Sequence, residues 1–96
     1  MSAVDATSGL SDRTLGVHHQ VALRPEPFGA LAYHYGNRRL VFLKHPDVVR
    51  VVRALDTHPT VGATLDACGI AAHRRASFER ALASLVESEM LHDRPR

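Results

Sequence analysis

The stretch FGALAYHYGNRRLVFLKHP, from Phe28 to Pro46, constrains the fold more than any other part of the chain. Gly36-Asn37 stands between two apolar runs, which predicts a hairpin with a two-residue loop at residues that tolerate positive φ. That loop sets a register in which Tyr35 faces Arg38, Tyr33 faces Leu40 and Leu31 faces Phe42. One face then carries Leu31, Tyr33, Leu40 and Phe42, and the other carries Phe28, Ala30, Ala32, Val41 and Leu43. Neither is a polar, solvent-facing side. Proteins normally blunt or cover an apolar strand edge, so this one calls for a cover.

The rest of the chain provides at most one layer of it. Before the hairpin, Val17, His19, Val21 and Leu23 alternate with His18, Gln20, Ala22 and Arg24, a strand pattern that the prolines of RPEP interrupt. After it, Pro46 and Asp47 suit the first turn of a helix. Val48, Val51, Val52 and Leu55 form its apolar stripe. A second helix is predicted from Thr60 to Cys68, closed by Gly69. A third runs from Ala72 to Glu89 with Phe78, Leu82, Leu85 and Val86 at helical spacing. The expectation is an α+β domain over residues 17–92, a three-stranded antiparallel meander followed by three helices, between a disordered arm at 1–16 and a tail at 93–96. One helical layer covers one face of such a sheet and leaves the other open.

Catalysis finds no support. The seven histidines show no i, i+4 pair, and a continuous strand would send His18 and His19 to opposite faces. Cys68 is single, so no disulfide or Cys-x-x-Cys pair exists, and a reducing cytoplasmic setting is expected. The start MSAVDATSGLSDRTLG does not read as a signal peptide, and no run approaches the roughly 20 apolar residues of a membrane span. No catalytic residue, metal or cofactor is expected.

Two binding readings remain. Three helices with a small sheet is the plan of winged helix-turn-helix domains, so a DNA-binding regulator is the alternative, using Arg74, Arg75 and Arg80 with Arg50 and Arg53. A net charge of +2 and the interrupting Glu79, Glu87 and Glu89 weigh against a phosphate-tracking surface. Eleven of the twelve basic residues are Arg, which fits either a G+C-rich coding sequence or a surface that reads carboxylates. In the other reading, the third strand (38–44) is a free edge to which an extended peptide adds as a fourth strand. Homodimerisation through the same edge would also cover it.

The run RPEPFGALAYHYGNRRLVFLKHPDVVRVVRAL, with PEPFGAL, YHYGNRRL and FLK as its most specific parts, resembles the mycofactocin-system peptide chaperones. These are PqqD-like recognition elements for ribosomally made, post-translationally modified peptides, and the likeness covers about residues 20–91. Many relatives in the wider clan carry a Leu-Asn pair where this chain has Lys44-His45-Pro46. The resemblance implies a winged helix-turn-helix-like fold, with the leader of a precursor peptide paired antiparallel to the third strand in a cleft toward the third helix. Carried onto this chain, it names Arg39, Leu40, Val41, Phe42, Leu43 and Lys44 on the strand, and Arg75, Phe78, Glu79 and Leu82 on the helix. It further implies a non-catalytic carrier, without a cofactor of its own, that presents the precursor to a radical S-adenosylmethionine maturase. Nucleic acid is not an expected partner. Proline at Val41 or Leu43, whichever amide points outward, is the sequence-based choice for blocking such an added strand.

Overall fold

The structure is a computed structural model and describes residues 9–95. Its larger sheet is the expected meander: β2 (Val21–Glu26), β3 (Gly29–His34) and β4 (Leu40–Leu43), antiparallel and in that order. Three helices follow, α1 (Pro46–Ala54), α2 (Val61–Ala67) and α3 (Arg75–Glu87). The molecule is therefore α+β.

The hairpin register is the expected one, with Leu31 opposite Phe42 and Tyr33 opposite Leu40. Its loop differs. Tyr35 and Arg38 lie outside the strands, and the left-handed residue is Arg38 at φ 64°, not Gly36 or Asn37. Side chains make this loop. The amides of Gly36 and Asn37 donate to His34 Nδ1 at 3.0 and 3.1 Å, and that of Arg39 donates to Asn37 Oδ1 at 2.9 Å. Local acceptors of this kind give the backbone an alternative to ladder bonds.

The strand expected from Val17 onward is two strands in two sheets. β1 (Leu15–Val17) pairs with β5 (Leu91–Asp93), a strand the sequence did not signal. Between β1 and β2 the chain turns, with the Val21 amide donating to the His18 carbonyl at 2.9 Å and the Gln20 amide to His18 Nδ1 at 3.0 Å. Unbroken alternation cannot mark such a turn, because imidazole acceptors close it without Gly or Pro.

This small sheet corrects both proposed boundaries. Residues 9–16 are no disordered arm, since Leu10 and Leu15 are fully buried in the core; residues 1–8 lie outside the described residues. Nor is 93–95 a loose tail. The Arg94 guanidinium donates to the carbonyls of Leu15, Leu55 and His58 at 2.9, 2.8 and 2.7 Å.

The helices start and stop for legible reasons. Pro46 opens α1, Thr60 Oγ1 accepts the Ala63 amide at 3.1 Å to cap α2, and Gly69 at φ 71° ends it. Their apolar stripes, Val51 and Val52, Val61 and Leu65, Phe78, Leu82 and Leu85, meet over the inner face of the sheet, where Ala30 and Ala32 let α1 approach β3 closely. The outer face of that sheet packs against no other described element.

Candidate functional site

β4 is an edge. In an antiparallel ladder, a residue that exchanges hydrogen bonds with its neighbour alternates with one whose N–H and C=O point away. The His34 amide donates to the Arg39 carbonyl at 3.0 Å, which fixes the phase. Val41 and Leu43, opposite Ala32 and Ala30, are thus bonded into the sheet, and the backbone groups of Leu40 and Phe42 face outward. The proline substitution envisaged for Val41 or Leu43 therefore belongs at Leu40 or Phe42, because proline at the former pair would break the ladder itself.

Side chains sort the other way. Leu43 is buried and Val41 half-buried on the inner face, whereas Leu40 (52% exposed) and Phe42 (55%) stand on the outer face. Phe28, expected beside Ala30, instead lies against Phe42 with ring centroids 5.7 Å apart. It sits in the turn before Gly29, whose φ of 148° takes the chain off the strand's alternation.

An open cleft of about 240 Å³ runs between β4 and α3, lined by Val41, Phe42, Leu43, Lys44, His45, Val48, Ala81, Ser84 and Leu85. A second of about 320 Å³, lined by His45, Val48, Arg74, Ser77, Phe78 and Ala81, shares three of those residues. Together they form one apolar groove along the strand edge with polar groups at its ends. Arg74 bonds Asp47 at 3.1 Å and lies 4.9 Å above the Phe78 ring, so a guanidinium closes one end. Lys44, Arg38 and Arg39 are exposed and, among the described residues, pair with no carboxylate.

Of the helix residues named from the sequence, Phe78 lines the groove. The other three do not: Leu82 is fully buried, Glu79 accepts a hydrogen bond from Ser11 Oγ at 2.6 Å, and Arg75 pairs with Asp66 of α2. The wall is formed by Ser77, Phe78, Ala81, Ser84 and Leu85 instead. Small residues at helical spacing beside a Phe-Leu stripe were the available signal, but they read as ordinary helix surface.

The histidines behave differently from a strand pattern. The rings of His18 and His19 stack at 4.4 Å, with His34 and His92 4.5 and 5.1 Å from His18. Desolvation, and then the neighbouring imidazoles His19, His34 and His92, push His18 below the ordinary histidine value, with Glu89 opposing. Among the described residues, no group of His, Cys, Asp or Glu is arranged to hold a metal ion, and no helix is long and apolar enough to cross a membrane.

The sequence profile of the peptide chaperone MftB family matches residues 14–92. The peptide chaperone MftB of Mycolicibacterium smegmatis is 53% identical over 75 residues, covering 78% of this chain and 74% of that one. Those of Mycobacterium ulcerans and Mycobacterium tuberculosis are 48% and 41% identical over 80 residues, covering 83% of this chain and 73% of each relative. No solved structure matches significantly. With the profile spanning most of the domain, the chain belongs to the peptide chaperone MftB family.

Proposed function

We propose that this chain is a non-catalytic chaperone of mycofactocin biosynthesis that takes up the leader of a ribosomally made precursor as a fourth strand on β4. It then presents the precursor to a radical S-adenosylmethionine maturase. The observation that carries the reading is the β4 edge: outward backbone groups at Leu40 and Phe42 flank an apolar groove that α3 leaves open. An added strand exchanges ladder bonds with those groups and places alternate side chains over Val41, Leu43, Ala81 and Leu85. Arg39 and Lys44 sit at the two ends of β4 and favour an acidic leader. The arrangement of sheet and helices is read as winged-helix-like, with the sheet edge in the role of receptor.

Proline at Phe42 tests this reading. It removes an outward amide without touching a β3–β4 bond, so the domain should stay folded and lose precursor binding, read by anisotropy of a labelled peptide. Leu43→Pro should unfold the hairpin as well. Undiminished binding by a folded Phe42→Pro protein would refute strand addition.

A further inference from the structure

The groove between β4 and α3 is apolar along its length and charged at the end beyond Leu43. None of the residues lining its two clefts is acidic, and Arg74 lines the second of them. One carboxylate serves two guanidiniums there. Asp47 Oδ1 accepts from Arg50 at 3.3 Å, and Oδ2 accepts from Arg74 at 3.1 Å. Two positive charges against one negative leave a positive charge in excess at this end, and the exposed Lys44 adds to it.

Arg74 is placed to use that excess. Its guanidinium lies 4.9 Å above the Phe78 ring, which restricts the side chain before any ligand arrives. It engages Asp47 through Nη2, and a guanidinium fork holds more N–H donors than that contact uses. A carboxylate laid over Val48, Phe78 and Ala81 meets Arg74 partly out of water, where their attraction is stronger.

The backbone supplies the register. The chain stays extended past β4, with His45 at φ −115° and ψ 124°. An added strand points every second side chain inward, opposite Val41 and Leu43 and then opposite His45. The first two meet the apolar wall of Ala81 and Leu85, and the third reaches the cleft of His45, Val48, Phe78 and Arg74. We propose that this cleft is a carboxylate subsite, in which Arg74 selects an Asp or Glu of the bound peptide. Antiparallel pairing, the more stable of the two senses, places that residue on the N-terminal side of the two apolar ones. The recognised segment then reads acid, any residue, apolar, any residue, apolar. The subsite deepens the strand-addition reading and depends on it for this register, but not for its charge.

The test uses the full chain and the labelled precursor peptide, in anisotropy titrations at low salt. Arg74→Gln should weaken binding about fivefold, the upper range for a partly exposed ion pair. Asp47→Asn should act in the opposite direction and tighten binding about twofold, because it removes the carboxylate that competes for Arg74. A merely structural role for the Asp47–Arg74 pair would weaken binding in both variants. Circular dichroism checks the fold of each, and Asp47→Asn carries the test if Arg74→Gln folds poorly. Precursor peptides with one Asp or Glu at a time changed to Asn or Gln locate the partner. One of them should bind wild type about fivefold more weakly, and bind Arg74→Gln as well as it binds wild type. Unchanged affinity of a folded Arg74→Gln protein, no gain by a folded Asp47→Asn protein, or a loss that no single amide peptide reproduces would overturn the subsite. Failure of wild type to bind the peptide would overturn it too. Phe42→Pro separates the subsite from strand addition. Binding lost there, with no effect of Arg74→Gln, keeps the added strand and removes the subsite. Binding retained there, with the Arg74 and Asp47 effects intact, keeps the subsite and removes the added strand.

Discussion

The guanidinium of Arg13 grips both carboxylate oxygens of Asp93, at 3.0 and 2.8 Å, although the two residues are 80 positions apart. The pair closes the small β1–β5 sheet across the two ends of the domain. Asp93 follows α3 almost directly and β1 leads into β2, so this clamp helps hold α3 at a fixed distance from the larger sheet. The width of the groove between β4 and α3 depends on that distance.

Asp93→Asn should cost about 0.5 kcal/mol, because both partners are partly in water and exposed pairs contribute little. The hydrogen bond from Arg13 holds the Asp93 carboxyl below its usual range. Its contribution is therefore present at neutral pH and lost as the pH falls below about 4. Urea midpoints of wild type and Asp93→Asn should differ at pH 7 and draw together progressively as the pH falls below about 4.

Acid should also act through the histidine cluster. His18 lies below the ordinary value, so folding favours its neutral form; that contribution is complete above about pH 6.5 and shrinks as the pH falls. Its Nδ1 accepts the Gln20 amide and cannot do so when protonated. The denaturation midpoint should fall between pH 7.5 and 5.0, and fall less in His18→Asn. Equal midpoints at both pH values would exclude this role.

His34→Ala strips the acceptor from the amides of Gly36 and Asn37, and leaves the hairpin loop with the Arg38 amide on the His34 carbonyl and the Arg39 amide on Asn37 Oδ1. A loss of about 2 kcal/mol is expected, with faster hydrogen exchange at residues 36–39.

Gly29→Ala should damage the edge from behind. At φ 148° the backbone suits glycine, and a Cβ there would collide with the Leu43 carbonyl oxygen. The variant should lose more than about 1 kcal/mol and displace β4, lowering peptide affinity along with stability.

The two flanks of α3 should separate cleanly. Leu82→Ala opens a cavity in the core and should cost about 2–5 kcal/mol. Ala81→Trp fills the groove beside β4 and should leave the thermal midpoint within a few degrees while blocking the peptide. Peptide binding by a folded Ala81→Trp protein at wild-type affinity would place the ligand elsewhere.

Local chemistry was enough for much of this architecture. The hairpin register, the proline at the start of α1, the Thr60 cap and the Gly69 stop each depend on residues within a few positions of one another, so they can be read along the chain. The turn at His18 escaped because side-chain acceptors replaced the usual turn residues. The β1–β5 pairing escaped because three-residue strands carry too little period to see and find each other only across the whole domain. The groove was half legible. Alternation showed that β4 is an apolar edge, but the phase of its outward amides depends on which β3 groups bond to it. Likewise, the Phe78–Leu82–Leu85 stripe showed that α3 packs inward, yet a stripe has two flanks. Only the packing of α3 over the sheet decided that the Ala81–Ser84 flank faces β4, while Arg75 and Glu79 are engaged by Asp66 and Ser11.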